Sequence, residues 1–222
     1  MNIKRYIATI ILAIVLLLNF SCTDWLDVKP VDRMSEDQLY STEAGFRQAL
    51  NGIYVELNHA DLYGDELLVN TVEILAQRYK FSSMGTLTNQ YHLAEFDYTT
   101  DYAKKCGSRI WEKAYALIAN VNKLLKNADS HKDLFTGDSY DLITGEAYAL
   151  RAFLHFDLLR LFGPVYKTHK EDKSICYNTQ FSLSGSDLLP ASKVMEYVIA
   201  DLKEAEDRLA KDPIIEEGPL LS

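Results

Sequence analysis

The sequence predicts an all-α fold in which TPR-like helix pairs form an α-solenoid scaffold with long irregular loops. Apolar residues recur at spacings of three and four residues along five segments of the chain. Alternation of apolar and polar residues, which would predict a sheet, is nowhere sustained. Between the helical segments lie stretches without a period that are rich in Tyr, Thr, Ser and Asn. Helices joined in this way pack as antiparallel pairs that stack side by side.

The N-terminus has the features of an export signal. Two basic residues precede an apolar run from Ile7 to Leu18, which is shorter than the roughly 20 residues of a membrane-spanning helix. A small residue stands directly before Cys22, as where a lipoprotein signal is cleaved and the cysteine acylated, although Asn19 replaces the usual Leu. We predict a lipoprotein signal peptide over 1–21 and lipid attachment at Cys22, with an uncleaved anchor or ordinary secretion as alternatives.

The charge balance excludes some partners. The chain carries 23 basic and 32 acidic side chains, a net charge of −9, and cleavage of the signal would remove two of the basic ones. Such an acidic surface repels the phosphates of nucleic acids. Attachment to a membrane must therefore come from acyl chains rather than from a basic patch.

The segment 22–34 has no helical or strand periodicity and contains Pro30, so we predict that it is an extended tether.

The helical segments begin with a short turn after Ser35. The five predicted helices span 42–58, 65 to about 78, 109–129, 140–163 and 191–212. The fourth of them carries two apolar rows, one through Leu154 and one through Phe153. A stripe of this width exceeds that of a surface helix. We therefore expect the fourth helix to be central and packed on both sides.

Two long irregular segments, 79–107 and 166–189, separate the predicted helices. Connections longer than about 15 residues inside a compact domain are usually functional or disordered. The first segment is rich in aromatic residues, which argues against disorder. It is the part of the chain in which we expect ligand-binding side chains.

No pattern of residues predicts an enzyme, a cofactor or a metal site. The five His are scattered along the chain. Glu146 and Asp157 lie roughly 16 Å apart on one helix, farther than the ~5–9.5 Å between the two carboxyl groups of a glycosidase. His155 is expected to be a packed or rim histidine rather than a general base. Cys106 and Cys176 either form a disulfide or, as we expect, remain free thiols.

Four stretches, taken together, resemble the N-terminal half of the SusD/RagB family of outer-membrane lipoproteins. They are SCTDWLDVKP after the export signal, TEAGFRQALNGIY, RIWEKAYALIANVNKLL and GEAYALRAFLHFDLLRLFGPV. The last is the most specific, because three short motifs within it stand in the family's order and spacing. The resemblance covers nearly the whole mature chain and identifies 35–222 as the family's N-terminal, TPR-like helical domain.

The resemblance implies a function in nutrient uptake. Family members are lipid-anchored at the cell outer membrane, exposed at the surface, capture oligosaccharides and deliver them to a SusC-like TonB-dependent barrel. Their helices tend to face the barrel, whereas the ligand binds on loops. Between Arg78 and Tyr102, the candidate glycan-binding residues are Arg78, Tyr79, Asn89, Tyr91 and Tyr98. Alternatively, each Tyr packs its ring against the protein and exposes only its hydroxyl to solvent.

The length of the chain departs from the family. Its members are usually at least twice as long, and their second half supplies much of the aromatic binding platform. We therefore expect that the C-terminal half of the family fold is absent from this sequence, through truncation or a split frame. The alternative function is a helical protein-interaction module without glycan affinity of its own.

Overall fold

Helices make up all the regular secondary structure of the part of the chain that the structure, a computed structural model, describes: residues 34–81, 88–181 and 186–212. They are α1 (Glu36–Leu39), α2 (Glu43–Leu57), α3 (Thr71–Leu75), α4 (Thr88–Ala94), α5 (Asp101–Ser130), α6 (Ser139–Phe162), α7 (Tyr166–His169) and α8 (Ala191–Leu209). A 3-10 turn, Lys132–Leu134, precedes α6. The all-α fold predicted from periodicity is confirmed.

The N-terminal predictions fall outside the described residues. The signal peptide over 1–21, lipid attachment at Cys22 and the tether up to residue 33 are among them. From Glu36 onward the described residues belong to one compact unit. No helix in the described ranges is both long and apolar enough to cross a membrane.

Helix α6 is the centre of the compact unit, as predicted. It packs most extensively on α8 and also contacts α5 and α2. Its row through Ala147, Leu150, Leu154 and Leu158 is buried. The second predicted row is only partly buried: Phe156 packs against the core, and Phe153 stacks on Tyr63 at 5.2 Å but is 43 % exposed. The expectation that α6 is packed on both sides therefore holds fully for the first row and in part for the second.

The face that α6 presents to α8 explains this difference. Besides the apolar row, α6 buries small and polar residues: Thr144, Gly145, Arg151, Ala152 and His155. Gly145 allows the close approach, since a Cβ there would lie 2.9 Å from Cγ of Leu209. Helix α8 thus packs against a face of α6 that is small and polar, and the apolar periodicity of α6 does not predict this contact.

A buried polar network joins α6, α8 and α5. Asp201 accepts two hydrogen bonds of 2.7 Å from Nε and Nη2 of Arg151. Nη1 of Arg151 donates to Oδ1 of Asn122 at 2.9 Å, and the hydroxyl of Tyr177 donates to Asp201 at 2.5 Å. Burial lowers the pKa of Arg151, but the hydrogen bonds and the charge of Asp201 outweigh it and raise the pKa overall.

The irregular segment 170–190 is held by this network and by backbone bonds. The Asn122 amide donates to the Asn178 carbonyl at 2.9 Å, and the Tyr115 hydroxyl donates to the Cys176 carbonyl at 2.8 Å. Near the ends of the segment, one antiparallel bridge pairs Lys173 with Pro190. The predicted irregular segment 166–189 thus begins with the short helix α7, whereas its described residues from 170 onward are without helix, as predicted, and are fixed to the helices beneath them.

The predicted helix over 65–78 is mostly wrong. The chain forms consecutive turns up to residue 69, and only Thr71–Leu75 is helical. The Asp65 carbonyl accepts the amides of Leu68, Val69 and Asn70, which closes a turn instead of continuing a helix. Turn and helix share the same apolar spacing here, so periodicity alone does not separate them.

The first irregular segment contains more helix than predicted. It includes α4, and α5 begins at Asp101 rather than at residue 109. The Thr100 side chain caps α5 by accepting from the amide of Ala103. The added turns of α5 bury Cys106, which is a free thiol like the partly buried Cys176, so the disulfide alternative is not realised.

His155 is a buried titratable residue, so its packing can be tested through the pH dependence of stability. Its ring is fully buried, and Nδ1 lies 2.8 Å from the Arg151 carbonyl while Nε2 accepts the amide of Asn178 at 3.1 Å. Burial lowers the pKa of His155 to about 4. The imidazole is therefore neutral and packed, as the sequence predicts.

We expect the free energy of unfolding to fall as the pH decreases from about 6.5 to about 4. Over this range the unfolded chain binds a proton that the folded chain does not, so stability rises with pH. Urea titrations at several pH values measure the slope, and His155→Gln should reduce it. An unchanged slope in this variant would contradict the assignment.

Candidate functional site

The five predicted glycan-binding residues lie in one stretch of the chain but in different environments. Arg78 is exposed, with Nε 4.0 Å from the Glu73 carboxylate. The Tyr79 hydroxyl donates to the Val69 carbonyl at 2.8 Å. Asn89 is exposed in the first turn of α4, and Tyr91 is half-buried beside His92. The residues 82–87 between them lie outside the described ranges.

Tyr98 lines a pocket in the described structure. The pocket has a volume of about 340 Å³ and lies between α3, α4, α5 and the end of α6. Its apolar wall is formed by Leu75, Leu93, Ile110, Leu161 and Phe162. Thr71, Lys104 and Tyr98 add polar atoms, and 58 % of Tyr98 is exposed. We call this the Tyr98 pocket.

A small apolar cluster, separate from the main core, supports the Tyr98 pocket. It consists of Ile74, Leu93, Ala94 and Ala103, with Leu75, Phe81 and Tyr102 packed around it. These residues come from α3, α4 and the first turns of α5 together with the residues between them. Of these elements, α4 and the first turns of α5 lie where periodicity predicts loop rather than helix.

Glu66 ties the turns before α3 to helix α5. Its side chain is 2 % exposed and accepts from the Thr71 hydroxyl at 2.5 Å and from the Asn70 amide at 3.2 Å. Arg109 of α5 donates to the same carboxylate and lies 3.7 Å from the carboxylate of Asp61. Because a buried carboxylate is costly without such partners, these contacts fix the segment that leads into the pocket.

Two residues with positive φ shape the chain on either side of α4. Gln77 has φ 59° and Phe96 has φ 58°, in the left-handed region that costs a non-glycine residue about 1–3 kcal/mol. The side-chain amide of Gln77 offsets part of this cost by donating to the Ala94 carbonyl at 2.6 Å. This bond joins the end of α3 to the end of α4 and keeps the two short helices together.

Sequence reasoning missed the residues that form and support the pocket. The pairing of Glu66 with Arg109 has no local sequence signal, because the two residues are 43 positions apart and acidic residues are usually exposed. Leu161 and Phe162 were assigned to the end of the central helix and not to a site. Their contribution follows from the position of α6 beneath α4, which no local pattern indicates.

A second pocket, of about 380 Å³, lies beside the buried Arg151 network. Tyr148 and Phe181 are its aromatic residues. Both rings already have cationic partners: Arg151 and Arg208 lie 5.0 and 5.2 Å from the Tyr148 ring, and Lys123 lies 4.5 Å from the Phe181 ring. With its rings occupied in this way, this pocket suits a sugar ring less well than the Tyr98 pocket.

The carboxylates weighed as a catalytic pair have structural partners. Glu146 accepts from the Tyr54 hydroxyl at 2.7 Å, and Asp157 accepts from the Tyr63 hydroxyl at 2.7 Å and from Arg160 at 2.8 Å. No group of His, Cys, Asp and Glu within the described ranges is arranged to hold a metal ion. The arrangement is suited to binding a ligand by shape, apolar contact and hydrogen bonds.

Comparison with known proteins assigns the chain to a family. A model of SusD-like proteins, described as starch-binding and associating with the outer membrane, matches residues 24–215. The chain is a member of this SusD-like family. The family membership expected from the resemblance is thereby confirmed. The family as a whole is associated with carbohydrate binding and with the outer membrane.

Relatives in this family are considerably longer than the present chain. SusD-like protein P2 of Formosa agariphila is 27 % identical over 208 residues, which are 93 % of this chain and 38 % of that protein. SusD-like protein P25 of the same organism is 27 % identical over 65 % of this chain and 28 % of its own length. The chain thus spans less than half the length of the relatives it matches.

Solved structures of the superfamily share the fold. A SusD-like carbohydrate-binding protein from Bacteroides vulgatus superposes with a TM-score of 0.64 at 21 % identity, covering 77 % of this chain and 36 % of that one. NanU of B. fragilis gives a TM-score of 0.57 at 18 % identity, covering 83 % and 34 %. At this identity the likeness concerns the fold, and it supports the TPR-like helix pairing.

Proposed function

We propose that the chain binds oligosaccharides through the Tyr98 pocket at the outer surface of the cell. The observation that carries the proposal is the exposed Tyr98 ring beside an apolar wall. A sugar ring presents C–H groups on its faces and hydroxyls around its edge. The apolar wall suits the faces, while the Tyr98 hydroxyl, Thr71 and Lys104 supply hydrogen-bonding groups.

The other predicted residues extend this surface. Tyr79 is 44 % exposed and lies edge-on to Phe81 at 5.9 Å. Arg78, Asn89 and Tyr91 add donors and acceptors from the same segment of chain. Since oligosaccharides are longer than a single pocket, we propose that these side chains contact sugar units on either side of the one bound at Tyr98.

We further propose that the bound oligosaccharide is passed to a SusC-like TonB-dependent barrel. The support is membership in a family described as associating with the outer membrane. The Tyr98 pocket uses only the first turns of α5 and the end of α6, which leaves the rest of the long helices free to face a transporter. The alternative, a protein-interaction module without glycan affinity, draws support from the short span of the chain relative to its relatives.

The Tyr98 pocket is tested by Tyr98→Ala. Loss of one aromatic contact should weaken binding about tenfold, the equivalent of about 1.4 kcal/mol. Affinity electrophoresis of the mature chain in gels containing a panel of polysaccharides measures this as reduced retardation. Tyr79→Ala and Tyr91→Ala should have smaller effects.

Phe181→Ala is the matched control for Tyr98→Ala. Phe181 is 42 % exposed and lines the second pocket, so its loss should leave retardation unchanged. If Phe181→Ala alone abolishes retardation, the ligand binds at the second pocket and the present assignment is wrong. If the unmodified chain is retarded by none of the polysaccharides, the interaction-module alternative is favoured.

Lipid attachment at Cys22 is proposed as the anchor. Cys22→Ala should release the chain from the outer-membrane fraction, because a chain with a net charge of −9 is not attracted to an anionic membrane surface. Cell fractionation followed by immunoblotting measures the release, and incorporation of labelled palmitate into the unmodified chain is the positive control. A variant that stays with the outer membrane and is processed normally would contradict the proposal.

A further inference from the structure

Lys104 is the single charged residue among those that line the Tyr98 pocket in the described structure. Apart from Thr71 and Tyr98, the other lining residues are apolar. Lys104 is exposed near the start of α5. The chain as a whole has a net charge of −9, so a pocket that offers one cation and no carboxylate has the opposite sign to the rest of the molecule.

The fold does not use the charge of Lys104. Within the described ranges its ammonium group forms no ion pair, unlike Arg109 further along α5. Asp97 accepts instead from the amide of Thr99 at 3.0 Å and from its hydroxyl at 2.6 Å, and lies 3.7 Å from Nδ1 of His92. The Thr99 bonds are also the main cause of the lowered pKa of Asp97, to which the charge of Lys104 contributes least. The ammonium group is therefore available to a ligand.

The polar groups of the pocket are suited to a ligand that accepts hydrogen bonds. The Thr71 hydroxyl donates its proton to Glu66 at 2.5 Å, so its oxygen can only accept from a ligand. The Tyr98 hydroxyl makes no hydrogen bond to another described residue and can donate. The ammonium group of Lys104 has three donors. A carboxylate or a sulfate, whose oxygens only accept, matches the donors of Tyr98 and Lys104.

Gly107 leaves space on the same side of α5 as Lys104. The two residues lie three positions apart, which places them on one face of the helix, and both line the pocket. Glycine inside a helix costs about 1 kcal/mol relative to alanine. Packing does not require it here, because a Cβ at Gly107 would be in ordinary contact, 3.6 Å from Cε1 of Phe162. The absent side chain leaves room for a ligand beside Lys104.

We propose that the Tyr98 pocket selects a sugar unit that carries a carboxylate or a sulfate ester, and that Lys104 binds this acidic group. The inference rests on the proposed function of the pocket and names its substrate class. The apolar wall packs against the sugar ring, while Lys104 and the Tyr98 hydroxyl bind the acidic oxygens. Because the chain is acidic overall and repels polyanions, binding of an acidic glycan depends on this local cation.

Lys104→Met tests the assignment by affinity electrophoresis. The gels contain polygalacturonate or alginate as carboxylated probes, carrageenan as the sulfated probe, and starch or galactan as neutral probes. We expect an acidic probe to retard the unmodified chain and Lys104→Met to weaken this binding about fivefold, the equivalent of an ion pair of about 1 kcal/mol. Carboxyl reduction or desulfation of the retarding polysaccharide should weaken binding of the unmodified chain to the same extent and identifies which acidic group is bound.

Lys105→Met is the matched control. Lys105 is the next residue of α5, is exposed and does not line the pocket, so its replacement changes the net charge and the electrophoretic mobility equally but should leave binding unchanged. Equal weakening by both variants would mean general attraction to a polyanion and would overturn the inference. Weakening by Lys126→Met alone would place the acidic group in the second pocket, which Lys126 lines, and would overturn it as well.

The neutral probes separate this inference from the proposed function. If only neutral polysaccharides retard the chain and Tyr98→Ala weakens that retardation, the pocket binds glycans without selecting an acidic group, and the inference alone is wrong. If no polysaccharide of either kind retards the chain, the proposed function fails and the inference fails with it.

Discussion

The bidentate ion pair between Arg151 and Asp201 is the interaction on which the rest of the structure depends. Arg151 lies on the central helix and Asp201 on the last one, and both are nearly buried. Removing one partner of such a pair leaves a buried charge, which costs about 3–5 kcal/mol. The remaining donors of Arg151 reach Asn122 on α5 and the Thr179 carbonyl of the irregular segment. A single side chain thereby sets the relative positions of three helices and a loop.

A second buried carboxylate plays the corresponding role at the ligand surface. Glu66 joins the turns before α3 to α5 through Arg109, as Asp201 joins α8 to α6. In both places the partners lie far apart in sequence, 43 and 50 residues respectively. Burial raises the strength of both contacts and also makes each unpaired charge costly. The frame is thus specified by polar pairs as well as by apolar packing, and the Tyr98 pocket lies beside the Glu66–Arg109 pair.

Local patterns predict the long helices because each buries one regular stripe. The spacing that places Leu150 and Leu154 in the core holds for α6 and for α5 as predicted. On α8 it holds for Val194, Val198 and Ala205, whereas Leu202 is 47 % exposed. The pattern fails over 65–78, where apolar spacing fits turns as well as a helix and Glu66 decides between them. It fails in part for Phe153, which stacks on Tyr63 but is still 43 % exposed, because which face of α6 meets α8 depends on Gly145 and Arg151.

The candidate site was predictable as a region and less so as a set of residues. Aromatic content singled out the segment after residue 78, and Tyr98 does line a pocket there. The other four predicted residues lie outside that pocket, because their positions depend on α4 and on the left-handed turns at Gln77 and Phe96. Leu161 and Phe162 come from a helix some sixty residues later in the chain, a distance that short-range spacing does not reach.

The central claim, that the Arg151–Asp201 pair holds the frame together, is tested most directly by a double-mutant cycle. The free energy of unfolding is measured in urea for Arg151→Met, Asp201→Leu and the two combined. We expect each single variant to lose about 3 kcal/mol and the double variant to lose at least about 1 kcal/mol less than the sum of the two. Strictly additive losses, or single losses below about 0.5 kcal/mol, would contradict the account.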